Sequence, residues 1–194
     1  MFVDSFILVC FFFCVMVERL FWEDAYLCEC EAKIVFVDGN VVRLDRTVFY
    51  AFSGGQVSDS GTIGGIVVLE ARKTLDGDIE YVLEEEANFV VGDCVLVKID
   101  WGKRYELMKL HTAQHLVAFF FEKISGLRER VGGNVRVGKA SLTYVCLCGG
   151  THVSSLKELG KISLRRKSGG KGKEDIEIGR KTQNSDLVFD LLKR

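Results

Sequence analysis

Two short segments of the chain hold side chains that bind metal ions well. KLHTAQHLVAFFF contains His111 and His115, CLCGGTHV contains Cys148 and His152, and the chain has three histidines in all. Residues four apart on a helix share one face, so His111 and His115 can point at one ion. The glycines between Cys148 and His152 let the chain turn back, so both side chains can reach a common point. Because imidazole and thiolate groups are preferred ligands of Zn²⁺, the pattern predicts one shared zinc site.

The residue after the first helical histidine argues against one kind of metal chemistry. A metalloprotease helix carries its general-base glutamate directly after the first histidine, whereas this chain has Thr112 there. Protease activity is therefore not expected. Each histidine taken alone could equally be an ordinary core or surface residue, and it is the pairing of two tight motifs that favours a metal site.

Composition indicates a folded, intracellular protein. The chain has 194 residues, of which 48% are hydrophobic, so it can bury one large core or two small ones. Its seven cysteines are an odd number, and two pairs stand too close in sequence for a comfortable disulfide, which favours a reducing, cytoplasmic setting. The net charge is −1, so contact with a nucleic acid would need a local basic patch.

Residues 1–17 form an apolar leader that is set apart from the rest of the chain. The run from Phe6 to Val17 is twelve residues long, shorter than the roughly 20 that a membrane-spanning helix needs. Asp4 precedes it, where a signal peptide would carry basic residues. A buried strand or an appended segment is expected here, with Met16 as an alternative start, and no membrane contact is expected.

Residues 18–100 are predicted to form a β-rich N-terminal domain. Asp38-Gly39-Asn40 stands between two runs rich in β-branched residues, and Asp76-Gly77 stands between two more. Both patterns predict hairpins. A further strand is predicted from Cys94 to Ile99. Strands at this spacing, with little helical signal, predict a small antiparallel barrel or sandwich.

Residues 101–194 are predicted to form an α+β half. From Arg104 to Ile124 apolar residues recur every three or four positions, which predicts an amphipathic helix ended by Ser125-Gly126. The positions of this apolar face are Leu107, Leu110, Leu116, Val117, Phe120 and Ile124. A last helix is predicted over SDLVFDLLKR, with Ser185 as its N-cap and basic residues at its end.

A basic tract follows the segment that contains Cys148 and His152. The sequence KISLRRKSGGKGK concentrates positive charge at Lys161, Arg165, Arg166, Lys167, Lys171 and Lys173. A solvated loop is the ordinary interpretation of such a run. The alternative is a phosphate-binding surface, since lysine and arginine contact nucleic-acid phosphates and the glycines let the backbone come close.

Three motifs taken together and in order, SGGQVSDSG, HTAQHL and CGGTHV, resemble those of the alanyl-tRNA editing proteins of the AlaX type. These are free-standing relatives of the editing domain of alanyl-tRNA synthetase, within the threonyl/alanyl-tRNA synthetase second additional domain family. The segment RLFWEDAYLCECEAKIV is similar to the family's opening segment. The resemblance extends over most of Arg19 to Ile178 and omits the apolar leader.

The resemblance implies a fold and a set of metal ligands. It implies an α+β fold, in which a small antiparallel β-barrel-like N-terminal domain precedes an α/β two-layer editing domain with a zinc site. His111, His115, Cys148 and His152 match the zinc positions of the family. Because a catalytic zinc keeps an open coordination position, His152 is expected as a weak, exchangeable ligand or as a base.

The resemblance also implies positions that bind the substrate. Gln56, beside Gly54 and Gly55, matches the position near the aminoacyl group, and Thr112 lies between the two helical ligands at the pocket. Gln56 and Thr112 are candidates for a hydrogen bond to the hydroxyl of serine, which alanine lacks.

The implied reaction is hydrolysis of the ester that joins serine or glycine to alanine tRNA, with one zinc ion per chain. The basic tract would then contact phosphates of the acceptor stem. Two alternatives stay open: a non-catalytic, zinc-stabilised RNA-binding module, and an inactive truncated paralogue. The second arises because this chain is shorter than the family between the segment around Gly138 and Cys146.

Overall fold

The computed structural model describes residues 16–53, 56–125, 148–168, 174–181 and 186–190, with the backbone alone described at 121–125 and beyond residue 164. Most of the predicted leader therefore lies outside the described residues. Before the histidine helix, the described chain forms eight strands: β1 (Glu18–Arg19), β2 (Glu29–Asp38), β3 (Val41–Leu44), β4 (Arg46–Thr47), β5 (Gly61–Ile63), β6 (Ile66–Lys73), β7 (Ile79–Leu83) and β8 (Cys94–Ile99).

Six of these strands close into an antiparallel barrel in the order β2, β3, β7, β6, β5, β8, with β8 pairing back to β2. The two predicted hairpins are β2–β3 and β6–β7. Gly39 lies in the first turn with a φ of 57°, a conformation that favours glycine. Closure leaves no free edge among the six strands, so of the two predicted architectures the barrel is confirmed.

The barrel has a core of its own. Along β8, Val95, Val97 and Ile99 are buried while the residues between them are exposed, as the alternation of a strand requires. Phe49 and Tyr81 meet edge to face with ring centroids 5.6 Å apart. The segment that joins β4 to β5 is thus anchored on a packed interior at its start.

The histidine helix, α1 (Trp101–Ser125), follows β8 directly and ends where the sequence predicts. Asp100 caps its N-terminus, because Oδ1 of Asp100 accepts a hydrogen bond of 3.1 Å from the backbone N–H of Lys103. In the part of the chain that the structure describes, no helix combines the length and the apolar character needed to span a membrane.

One side of α1 forms a second core together with the chain around His152. Leu107 and Leu110 are buried as predicted and pack with Val153 and Leu159. Near the end of the helix the prediction is wrong, since Phe119 is buried and Phe120 is 48% exposed. Phe119 stands four residues after His115, so it continues the buried face, whereas the next position turns toward solvent.

Three further strands, β9 (Ser163–Ser168), β10 (Glu174–Lys181) and β11 (Asp186–Asp190), form an antiparallel sheet with β10 in the middle, and α1 approaches β10. β11 corrects the prediction of a last helix. A short apolar run such as Leu-Val-Phe suits a strand as well as a helix, and pairing along β10 satisfies its backbone hydrogen bonds. Ser185, the predicted cap, lies outside the described residues. The α+β class is confirmed.

Candidate metal centre

α1 carries His111 and His115 one turn apart on its buried face. The two side chains are nearly inaccessible to solvent, and their Nε2 atoms are 3.1 Å apart. The leucines that flank them anchor the helix on the second core, so the direction of both imidazoles is set by packing. The helix therefore presents two convergent ring nitrogens.

The segment from Cys148 to His152 brings a second pair of ligand atoms to the same point. Sγ of Cys148 lies 3.3 Å from Nε2 of His111, 3.3 Å from Nε2 of His115 and 3.4 Å from Nε2 of His152. The four ligand atoms all lie within 4.8 Å of one another. The predicted convergence of the two motifs is confirmed, and these four residues could hold a metal ion.

Gly150 makes this approach possible. A Cβ atom at this position would lie 2.5 Å from Nδ1 of His111 and 2.7 Å from Oε1 of Gln56, so a side chain there would displace one of the two. A Cβ at Gly149, by contrast, would meet nothing within 4 Å. Close packing therefore requires a glycine at position 150 but not at position 149.

Gln56 reaches the cluster from the barrel side of the molecule. It is 0% exposed. Its Oε1 accepts a hydrogen bond of 2.9 Å from the backbone N–H of Thr151 and lies 2.7 Å from Nδ1 of His111. Because an amide oxygen can only accept, Nδ1 of His111 must carry the proton and its Nε2 must present a lone pair.

Thr112 performs a similar task for His152. Its Oγ1 lies 3.1 Å from Nδ1 of His152 and accepts a hydrogen bond of 3.2 Å from the backbone N–H of Val153. Nε2 of His152 is thereby left facing Cys148. The hydroxyl of Thr112 is occupied inside the protein, so in this structure its visible role is to orient an imidazole.

Burial lowers the pKa of all three imidazoles. The pKa of His111 falls to about 2, through burial and then through its neighbours His152 and His115. Burial lowers the pKa of His115 to about 4 and that of His152 to about 3. The three rings are therefore neutral near neutral pH and keep lone pairs for a cation. Burial raises the pKa of the Cys148 thiol, whereas a bound cation would favour its thiolate.

These observations fit a metal ion. Lone pairs of buried, neutral imidazoles converge on a sulfur atom, and the imidazole of His111 has its other nitrogen committed to Gln56. Several imidazole nitrogens converge on the single S–H of Cys148, and a cation at their centre would attract all of their lone pairs at once. Three nitrogen donors and one sulfur donor form a set typical of tetrahedral transition-metal sites.

A buried ion pair joins the Gln56 segment to the histidine helix. Arg104 and Asp59 are both 0% exposed at their side chains and form a two-pronged contact in which Nε of Arg104 donates to Oδ1 of Asp59 at 2.9 Å. Arg104 also donates to the carbonyl oxygens of Val48 and Ala25, at 2.6 and 3.2 Å. Sequence reasoning missed this pair, although Arg104 precedes His111 by two helical turns and so shares its face.

A cavity of about 440 Å³ opens beside the ligand cluster. Its walls come from two parts of the chain, the short 3-10 helix Leu20–Trp22 with the residues after it and the segment from Cys148 to His152. Sequence reasoning did not single out Trp22 or Thr151, which lie on these walls. The cavity gives a ligand direct access to Cys148 and His152.

The remaining predicted residues are placed only in part. The residues that lie outside the described part of the chain are Gly54, Gly55, Lys171 and Lys173. Lys161 is exposed. Arg165 and Arg166 lie on β9, where they pair in register with Glu177 and Ile176 of β10. Half of the predicted basic tract is therefore a paired strand and not a free loop.

Comparison with known proteins supports one family. The family model of the threonyl and alanyl tRNA synthetase second additional domain matches residues 132–176. The alanyl-tRNA editing protein AlaX-M of Pyrococcus horikoshii is 33% identical over 210 residues, which cover 84% of this chain and 97% of that protein. Since 84% of 194 residues is fewer than 210, the alignment contains positions of the relative that this chain lacks.

Two other relatives cover less of either chain. AlaX-M of Methanosarcina barkeri is 41% identical over 121 residues, 57% of this chain and 49% of that protein. The alanine–tRNA ligase of Methanococcus aeolicus is 37% identical over 126 residues, 64% of this chain and 14% of the ligase. The match over nearly the whole of the Pyrococcus protein, joined to the barrel and the four-residue cluster, shows that the chain belongs to the AlaX family of alanyl-tRNA editing proteins.

Proposed function

We propose that this chain is a cytoplasmic, zinc-dependent hydrolase that removes serine or glycine from mischarged alanine tRNA. The observation that carries the proposal is the convergence of four ligand atoms within 4.8 Å, with Gln56 hydrogen-bonded to one of them from the other half of the chain. This hydrogen bond joins the site to the barrel, and the cavity gives a substrate access to Cys148 and His152. The names of the relatives, which are editing proteins and alanine–tRNA ligases, support the same reaction.

His111, His115, Cys148 and His152 would hold one Zn²⁺ ion. Zinc in such a site acts as a Lewis acid, which can polarise the ester carbonyl or ease the deprotonation of water. Of the four residues, Cys148 and His152 line the cavity while His111 and His115 are buried behind them. We propose that His152 either leaves the metal ion during the reaction or transfers the proton, because it is the imidazole that lines the cavity.

The chain's other residues hold this geometry. Gln56 fixes the tautomer of His111, and Thr112 fixes the ring of His152. The predicted contact of Gln56 or Thr112 with the serine hydroxyl stays a prediction, and their hydrogen bonds favour a positioning role for both. Gly54 and Gly55 precede Gln56, and we propose that they leave room for the aminoacyl group.

We propose that the basic tract contacts the phosphates of the acceptor stem. The residues of the tract proposed for this contact are Lys161, Arg165, Arg166, Lys171 and Lys173. Phosphate contacts of this kind position an RNA without reading its sequence, so recognition of alanine tRNA would need further contacts.

A zinc-stabilised RNA-binding module is the second candidate. Four protein ligands close a tetrahedral site, which is the arrangement of structural zinc, and this observation favours a module without catalysis. This chain also lacks positions that the Pyrococcus protein has, and this difference favours a third candidate, a truncated and inactive paralogue.

One experiment separates these functions. Zinc content and deacylation of Ser-tRNA(Ala) and Gly-tRNA(Ala) are measured on the same sample, with correctly charged Ala-tRNA(Ala) as the control substrate. The proposal expects one zinc per chain and release of serine or glycine without release of alanine. Protein that is fully loaded with zinc and binds the tRNA, yet releases no amino acid, would establish the binding module.

A further inference from the structure

Trp22 stands out as an exposed aromatic side chain in the wall of the cavity that leads to the cluster. Its side chain is 58% exposed, although tryptophan usually buries most of its surface. It lines the cavity together with Cys148 and His152. An exposed indole that shares a cavity wall with two proposed metal ligands calls for a reason other than packing.

The indole is held firmly despite its exposure. Its Nε1–H donates a hydrogen bond of 3.1 Å to the carbonyl oxygen of Gly149. The guanidinium of Arg19 lies 4.7 Å from the ring centroid, and the buried ring of Phe21 meets its edge with centroids 5.8 Å apart. These contacts fix the plane of the ring and leave the rest of its surface open toward the cavity.

The charges of the lining select a class of ligand. The described residues that line the cavity include one carboxylate, Glu23, and no lysine or arginine. A phosphate group is therefore disfavoured in the cavity. A neutral base with its ribose fits better, since aromatic side chains bind nucleic-acid bases by stacking whatever the base is.

We propose that the open surface of the Trp22 indole stacks against the terminal adenine base of the RNA whose ester reaches the metal centre. This assignment rests on the proposed function, because transfer RNA ends in adenosine and carries its amino acid on that ribose. Gly149 fits the same assignment. It has open space where a side chain would stand, so the ribose can pass between Trp22 and Cys148.

The probe is the seryl amide of 3′-amino-3′-deoxyadenosine, which cannot be hydrolysed, and its control is the same amide on a ribose without a base. The chain has two tryptophans, so Trp101→Phe leaves Trp22 as the sole indole emitter. In that background the adenosine probe should quench the fluorescence and the control should not.

Calorimetry then measures affinity in the zinc-loaded full chain. Trp22→Ala should weaken binding of the adenosine probe about tenfold or more and leave binding of the control unchanged. Trp22→Phe should keep most of the affinity. Equal zinc content shows that each variant is folded at the site. Equal losses for both probes, no loss for either, or no binding of the adenosine probe to the wild type would overturn the assignment.

Hydrolysis of Ser-tRNA(Ala) by the same preparation keeps the two proposals apart. Hydrolysis without quenching would leave the editing function standing and remove the stacking role of Trp22. Quenching without hydrolysis would do the reverse, since the base would bind in a protein that does not edit.

Discussion

α1 carries two buried polar clusters on one face, and they differ in charge and in what they can bind. At the start of the helix, every side-chain nitrogen of Arg104 donates to Asp59 or to the carbonyl oxygens of Val48 and Ala25. Two turns later, His111 and its three partners turn acceptors toward a common point. The first cluster pairs a cation with an anion inside the protein, whereas the second gathers neutral groups that could hold a metal ion.

The Arg104–Asp59 pair stabilises the fold, whereas the histidine cluster could hold a metal ion. Both clusters connect the helix to the same barrel segment, the first through Asp59 and the second through Gln56. Buried polar groups that are all paired add order without reactivity. Converging imidazole and thiol groups, by contrast, can bind a metal ion. The Arg104–Asp59 pair fixes the distance between the helix and the barrel segment, and so helps to hold Gln56 against His111.

The largest effect is expected at the cluster of His111, His115, Cys148 and His152. Cys148→Ala removes the ligand atom that touches all three imidazoles, so zinc content should fall close to zero and deacylation should be lost with it. Metal analysis after dialysis measures the first and serine release the second. Cys94→Ala, at an exposed cysteine of the barrel, is the control and should keep both. Full zinc occupancy in Cys148→Ala would show that the cluster is not the binding site.

Breaking the Arg104–Asp59 pair should lower the stability of the fold. Arg104→Met leaves the carboxylate of Asp59 buried without a cation, which typically costs about 3–5 kcal/mol in the free energy of unfolding. Urea denaturation measures this cost. Adding Asp59→Asn should recover part of it, because the buried charge is then gone.

Arg46→Met is the matched control, since Arg46 forms an exposed ion pair with Glu18 and such pairs are worth about 0–1 kcal/mol. If Arg104→Met unfolds at the same urea concentration as Arg46→Met, the buried pair does not hold the barrel segment.

The neighbouring glycines give a sharper test of the geometry. Gly150→Ala forces a methyl group against His111 and Gln56, whereas Gly149→Ala meets nothing within 4 Å. We expect zinc affinity to fall by about 100-fold in the first variant, at the upper end of the range for disturbed support of a metal ligand. Gly149→Ala should bind zinc like the wild type. Competition with a chelator measures both, and equal affinities would contradict the packing described for Gly150.

Removing the support of His111 should have a smaller effect. Gln56→Ala deletes the acceptor that fixes the ring, so zinc affinity should fall by about tenfold, at the lower end of the same range. The rate of deacylation at saturating zinc should fall as well. Gln114→Ala, on the same helix between the two histidines, is the control. An unchanged affinity in Gln56→Ala would show that the hydrogen bond does not orient the ligand.

The smallest effect concerns Glu158, which receives hydrogen bonds from the hydroxyls of Tyr26 and Tyr105 and so anchors the segment after His152. Burial would raise the pKa of Glu158, but the hydrogen bonds from Tyr26, Tyr105 and Ser154 outweigh it and hold the pKa below its usual 4.5. A lowered pKa stabilises the fold above pH 4.5, and this contribution is lost as the pH falls through the folded value.

Glu158→Gln should therefore lose stability less steeply than the wild type below pH 4.5, as measured by thermal unfolding at several pH values. The histidines are present in both proteins and cancel in the difference. Glu85→Gln, at an exposed position, should follow the wild-type curve. Parallel curves for Glu158→Gln and the wild type would contradict the role of the hydrogen bonds.

Local patterns predict most of the fold because they report local causes. The Asp-Gly turns, the strand Cys94–Ile99 and the histidine helix each depend on residues near in sequence, and the structure confirms them. The last strand was not predictable in this way, because its partner β10 decides between two conformations that Leu-Val-Phe allows equally. Register between distant strands leaves no trace in a short run of residues.

The residues of the site can also be sorted into those that nearby sequence predicts and those that it does not. Histidine spacing and the Cys-Gly-Gly-Thr-His turn reveal the four residues of the cluster, since each pair is local. The approach of Gln56 to the pocket followed only from the family resemblance, and the exposed indole of Trp22 beside the cavity followed neither from local patterns nor from the resemblance. Arg104 could have been noticed as a charge on the apolar face of the helix, whereas its partner Asp59 stands 45 residues away in sequence.

The Arg104–Asp59 pair has a consequence for how such a helix can pass between proteins. A gene segment that encodes only the histidine helix and the Cys/His turn would carry a guanidinium built to lie at 0% exposure, with no carboxylate to meet it. An unmatched buried cation would unfold the recombined product before any chemistry could be selected. Exchange between scaffolds therefore requires either that the barrel travels with the helix or that position 104 first becomes neutral. The charge of Arg104 thus makes the histidine helix dependent on the barrel segment that carries Asp59.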